Sequence, residues 1–185
     1  MAKSEKEKML AGELYDASDQ QLAEERLIAR RFCRKYNSIL PEAEAERAKA
    51  LKEMFPEAGE DLYIEPPFRF DYGCNIKFGK NVYMNFRCII LDSALVTIGD
   101  NVMIAPNVQL YTASHPVNAA ERISGPELAA PITIGNNVWI GGGAIILPGV
   151  TIGDNTTIGA GSVVTKDIPA NVSAAGNPCK VIREL

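Results

Sequence analysis

The sequence predicts a mainly β protein: a parallel β-helix of hexapeptide repeats, preceded by an N-terminal helical segment and carrying one protruding loop. Three observations predict it. Charged residues and helical apolar spacing concentrate in residues 1–60. From about residue 74 apolar positions recur every six residues with Gly, Asn and Asp between them, and that repeat is broken once by a long interval at 111–133. The organisation is therefore a helical cap, 1–60, followed by the β-helix domain, 61–185.

Composition narrows the function before any motif is read. At 185 residues, 46% apolar, 23% charged and a net charge of −4, the chain suits one main domain and lacks the basic excess that nucleic-acid partners leave. No apolar run approaches the roughly 20 residues that span a bilayer. The opening "MAKSEKEKML" has no apolar core of a signal peptide, so a cytoplasmic location is expected. The four cysteines, Cys33, Cys74, Cys88 and Cys179, form no C-x-x-C pair and are expected to be reduced thiols. With a single histidine and no compact carboxylate loop, no metal site is expected.

In the cap, Ser4 with Glu7 can make a capping box for a first helix ending near Gly12, and Ser18 with Gln21 can do the same for a second. The second helix places Leu22, Ala29, Phe32, Cys33, Tyr36 and Leu40 on one stripe and stops at Pro41. A third, through Ala45, Ala48, Leu51 and Phe55, ends before Pro56 and Gly59.

In the β-helix domain one inward position recurs at Phe78, Met84 and Ile90, then at Ile98, Ile104 and Leu110. It resumes at Ile134, Ile140, Ile146, Ile152, Ile158 and Val164. Each hexad supplies a short strand and a turn, and three hexads make one triangular coil, so twelve hexads predict four coils. Between Ile90 and Ile98 the step is eight, which predicts a two-residue insertion bulging out near "LDSALV". Between Leu110 and Ile134 it is 24, which predicts a long excursion carrying His115, the only histidine. An isolated histidine is more often structural, but insertions in a repeat scaffold are frequent seats of function. Imidazole, with a reference pKa near 6.5, is a natural general base.

The segments "KEKMLAGELYDASD", "EPPFRFDYGCNI", "NFRCIILD", "SHPV", "PITIGNNVWIGGGAIILPGVTIGDNTTIGAGSVVTKDIP" and "AAGNPCKVIREL" together resemble the maltose and galactoside O-acetyltransferases, closest to the maltose type, over nearly the whole chain. The resemblance implies a left-handed β-helix and a homotrimer that moves an acetyl group from acetyl-CoA to a sugar hydroxyl by direct transfer. In "SHPV", His115 matches the catalytic base, and in "YMNFR", Asn85 matches the asparagine at the reacting acetyl group. An amide donor suits the oxyanion that forms there.

Sugar contacts are expected from Asp16, Asp71, Tyr83 and Asp92, with Asp19 as the alternative to Asp16. Asp71 fits the maltose type, and Ser93 stands where the galactoside type carries an acid, which favours glucose- or maltose-like acceptors. Acetyl-CoA positions that match are Asn85, Gly142, Ala160, Thr165, Lys166, Lys180 and Arg183. Lys180 stands where the galactoside type has arginine, and Trp139 lines the same groove or an apolar interface. Two other readings stay open: an acetyltransferase acting on an amine, antibiotic or galactoside, and a non-catalytic β-helix scaffold. A carbonic anhydrase on this fold needs several histidines.

Overall fold

The computed structural model describes residues 2–185. Helix α1, Glu5–Leu10, starts with the expected capping box: Ser4 accepts from the Glu7 amide, and Glu7 accepts from the Ser4 amide at 2.7 Å. Helix α2, Gln20–Tyr36, is capped by Asp19 rather than Ser18. The Asp19 carboxylate accepts from the Leu22 amide at 3.2 Å, while the Ser18 hydroxyl turns back to Asp16. Leu22, Ala29, Cys33 and Tyr36 are buried as predicted, but the helix stops at Tyr36 and Leu40 is exposed. The side chain of Asn37 ends it by exchanging hydrogen bonds of 2.9 and 2.8 Å with the backbone of Phe68. Helix α3, Glu44–Met54, buries Arg47, Ala50 and Leu51 and leaves Ala45 and Ala48 in solvent. Its apolar face is thus rotated from the predicted stripe, toward Phe55 and the first coil.

The solenoid has three parallel faces. The first stacks Tyr63–Ile64, Tyr83–Met84, Met103–Ile104, Trp139–Ile140, Thr157–Ile158 and Val172–Gly176, and is closed by the antiparallel strand Cys179–Glu184. The second stacks Arg69–Phe70, Ile89–Leu91, Gln109–Tyr111, Ile145–Ile146 and Val163–Val164. The third stacks Ile76–Phe78, Val96–Ile98, Ile132–Ile134 and Thr151–Ile152. All twelve predicted inward residues are buried, none more than 5% exposed.

Two corrections follow from the register. The solenoid starts before residue 74, because Ile64 and Phe70 pair with Met84 and Ile90 and occupy the same inward columns. The insertion after Ile90 does not bulge outward: Asp92, Ser93 and Ala94 are buried. The same eight-residue step separates Phe70 from Phe78, so the inserted turn of one coil stacks on that of the coil before it.

Where the third face turns into the first, Asn81, Asn101, Asn137, Asn155 and Asn171 all adopt φ of 55 to 60°. Asparagine tolerates the left-handed region, and each amide donates to the next across coils at 3.0, 3.0, 2.8 and 2.8 Å. The open end of the first coil is plugged by an aromatic group in which Phe32, Phe55, Phe68, Phe70 and Phe78 meet at ring separations of 5.1–6.4 Å. A second, smaller core joins Met9, Tyr15 and Leu22 of the cap to Tyr72, Ala94 and Ala129. No helix among the described residues is long and apolar enough to cross a membrane.

Candidate active site

Of the residues singled out in the sequence, Asn85, Gly142 and Ala160 lie at one edge of the second face and Asp71, Thr165 and Lys166 at the other. Asn85 lies at the corner where the chain enters that face, directly after strand Tyr83–Met84, with its amide bonded to the Ile104 carbonyl at 2.8 Å. Continuing up this corner, Ala105, Gly141 and Gly159 occupy the same position in successive coils, each donating to the coil beyond at 2.7–2.9 Å. Gly142 and Ala160 follow them. Arg87, Asn107, Gly143 and Gly161 next share a positive φ of 59 to 70°. In the upper coils that position is glycine, and a Cβ at Gly143 or Gly161 would meet nothing within 4 Å. The corner there is bare backbone facing open space, a surface along which a flexible chain can lie.

At the opposite corner, where the chain leaves the second face, are Asp71, Thr165, Lys166 and the root of the long loop. The loop is not irregular throughout. Ala113–Ser114 pairs antiparallel with Leu128–Ala129, and α4, Ala119–Ile123, lies between them, capped by Asn118. His115 follows directly on the first of these strands and is exposed. Arg122 holds the segment after it by donating to the carbonyls of Pro116 and Val117 at 3.1 and 3.0 Å.

The loop is fastened to the cap. Tyr15 and Glu127 exchange backbone hydrogen bonds of 3.1 and 3.0 Å, and the Tyr15 hydroxyl donates to the Glu127 carboxylate at 2.8 Å. Around that contact opens a cleft of about 820 Å³ lined by Tyr15, Asp16, Ser18, Arg26, Ser124 and Pro126 among others. Asp16 is exposed in it, and the Ser18 hydroxyl and amide hold its carboxyl below the usual range. Asp19 is committed to capping α2, which favours Asp16 of the two. Asp71 is half-buried in a neighbouring hollow of about 160 Å³ with Arg30, Arg69 and Leu91. Burial pushes its carboxyl up, opposed by the guanidinium groups of Arg26 and Arg30.

One expectation changes. Asp92 cannot meet a sugar: it is 0% exposed, and its carboxylate accepts the amides of Asp71, Tyr72 and Gly73 at 2.9, 2.9 and 2.7 Å. Ser93 is buried beside the Tyr15 hydroxyl, so it shapes the cleft from behind. Tyr83 lies on the first face, two residues before Asn85, with its ring stacked on Tyr63 at 5.8 Å. Trp139 also projects from the first face, between Met103 and Thr157, and is half exposed. Lys180 and Arg183 are on the exposed closing strand, opposite Ala175 and Ser173. Tyr15, Glu127, Arg26 and Arg122 were missed in the sequence because their partners are distant or lie inside an unpatterned loop.

The chain is thus a capped solenoid with a bare glycine corner, basic residues toward its far end and an exposed imidazole on a tethered loop, and comparison with known proteins places it among the hexapeptide-repeat transferases. Residues 131–166 match the six-repeat bacterial transferase hexapeptide model, and residues 8–59 match the maltose acetyltransferase hexapeptide capping motif. Galactoside O-acetyltransferase of Escherichia coli K12 is 51% identical over 97% of this chain and 88% of its own. The crystal structure of a maltose O-acetyltransferase from Clostridium difficile 630 superimposes with a TM-score of 0.97 at 51% identity, covering 100% of this chain and 99% of that one. A galactoside acetyltransferase in complex with coenzyme A gives 0.95 at 50% identity, over 99% and 92%. The chain belongs to the maltose and galactoside O-acetyltransferase family and is an acetyltransferase.

Proposed function

We propose that this chain transfers the acetyl group of acetyl-CoA to a hydroxyl of glucose, maltose or a related sugar, in the cytoplasm, as a homotrimer. The carrying observation is the placement of His115 and Asn85 on opposite sides of the second face, one on the tethered loop and one beside the bare corner. Within one chain a full face, about 15 Å of extended backbone, separates the two corners. Two copies packed on this face bring the loop of one against the glycine corner of the next, and a threefold ring closes the arrangement with three equivalent sites. The outward apolar column Tyr63, Tyr83, Met103 and Trp139 offers further contact area between copies.

The chemistry then follows from each group. The pantetheine arm lies along Gly142 and Ala160, and Thr165, Lys166, Lys180 and Arg183 answer the nucleotide phosphates. His115 takes the proton of the acceptor hydroxyl as that oxygen attacks the thioester carbonyl, and returns it to the departing thiolate. The Asn85 side chain meets the oxyanion, whose collapse expels coenzyme A. Asp16 and Asp71 accept hydrogen bonds from the sugar hydroxyls. No acetyl-enzyme forms. The buried thiol of Cys88, pushed up to about 11 by its surroundings, makes a poor nucleophile.

Thiol release from acetyl-CoA, followed across glucose, maltose, a β-galactoside and an amino sugar, tests the assignment. Glucose or maltose is expected to turn over. His115→Ala is expected to lose at least about 100-fold in kcat, and Asn85→Ala about 100- to 1000-fold, with acetyl-CoA still bound. Undiminished turnover in His115→Ala refutes the mechanism.

A further inference from the structure

We infer that Asp92 is a positioning residue for the acceptor, acting from inside the protein by fixing the turn that presents Asp71. The inference rests on the reading of Asp71 as a sugar contact. Three consecutive amides, of Asp71, Tyr72 and Gly73, converge on the Asp92 carboxylate, and the Asn75 side chain donates to the Asp92 carbonyl at 2.7 Å. The carboxylate and the carbonyl of Asp92 are thus both spent on the turn at 71–75 in the preceding coil.

The far side of Asp92 is tied equally closely to the catalytic loop. Two residues on, the Ala94 amide donates to the Thr112 hydroxyl at 2.8 Å, and that hydroxyl donates to the Leu91 carbonyl at 2.6 Å. Thr112 is the last buried residue before strand Ala113–Ser114, and its carbonyl accepts from Ala130, directly after the returning strand, at 2.9 Å. The inserted turn 92–94 therefore sits as a spacer between two coils, holding Asp71 below it and the root of the His115 loop above it. Such a spacer sets the height of the acceptor carboxylate relative to the base, and a carboxylate with two acceptor oxygens is the side chain that three convergent N–H groups require.

The test is a double-mutant cycle in the full chain, with maltose and acetyl-CoA varied separately. Asp92→Asn keeps the size but points an amide N–H₂ at backbone donors. It is expected to raise the maltose KM at least tenfold, with kcat and the acetyl-CoA KM within twofold of native. In an Asp71→Ala background the same change is expected to add less than twofold, because the group it positions is gone. A tenfold effect that persists in that background, or a matching rise in the acetyl-CoA KM, overturns the inference and leaves the proposed function standing. An Asp71→Ala chain with native maltose KM refutes instead the acceptor role of Asp71. If Asp92→Asn does not fold, Asn75→Ala loosens the same turn without touching the carboxylate; it is expected to raise the maltose KM at least threefold, and a native value overturns the inference.

Discussion

Asp92 shows how differently one residue type behaves on either side of a backbone. In the sequence it reads as one more acid near the acceptor, since nothing local separates a carboxylate facing solvent from one turned inward. The stacked register decides it: the eight-residue step recurs in two coils, so the inserted turns must pack on each other and Asp92 is sealed between them. Burial pushes its carboxyl up to about 6, against the pull of three amides. A carboxyl raised by folding contributes stability that is fully present below its unfolded pKa, near 4, and is lost as pH rises through 6. The stability difference between the native chain and Asp92→Asn, followed by denaturant unfolding, is therefore expected to shrink from pH 4 to pH 6.5; a gap that stays constant contradicts the assignment. His115 was legible for the opposite reason, being the only imidazole and lying in the only long break of the repeat.

Among the elements, the hexads were the most readable because their demands are local: an inward aliphatic, then a corner residue that tolerates positive φ. The asparagine column makes that requirement measurable. Asn137→Ala forces an ordinary side chain into φ of 57° and removes two rungs of the amide ladder, an expected loss of about 2 kcal/mol by denaturant unfolding. Asn137→Gly relieves the backbone and is expected to cost about half as much. The capping signals were less decisive. Ser18 and Asp19 are adjacent and both make good N-caps, and only the hydrogen bonds show that Asp19 serves α2 while Ser18 serves Asp16. The first coil was hidden because Pro66 and Pro67 and the long step to Phe78 interrupt its spacing, although Ile64 and Phe70 sit in full register.

For the whole molecule, the architecture followed from periodicity, whereas the joining of cap to loop did not, since Tyr15 and Glu127 are separated by 112 positions. The proposed sharing of a site between copies has a direct test. His115→Ala and Asn85→Ala, each expected to be nearly inactive, are mixed in equal amounts, unfolded and refolded together. Sites built from two chains are expected to recover about a quarter of native activity, because half the copies supply each intact residue. No recovery from a mixture that refolds and reassembles contradicts the sharing.

On the proposed binding mode the glycine corner also acts as a ruler. Asn85 and Gly159 stand three coils apart in one column, about 15 Å at the spacing of paired strands. A repeat protein can change that length only by whole coils, in increments of about 5 Å, so on that binding mode the reach of the corner along its donor is counted in layers. Duplicating one coil between Asn107 and Gly141 would preserve the strand ladder while moving the far anchor out of reach of the same donor.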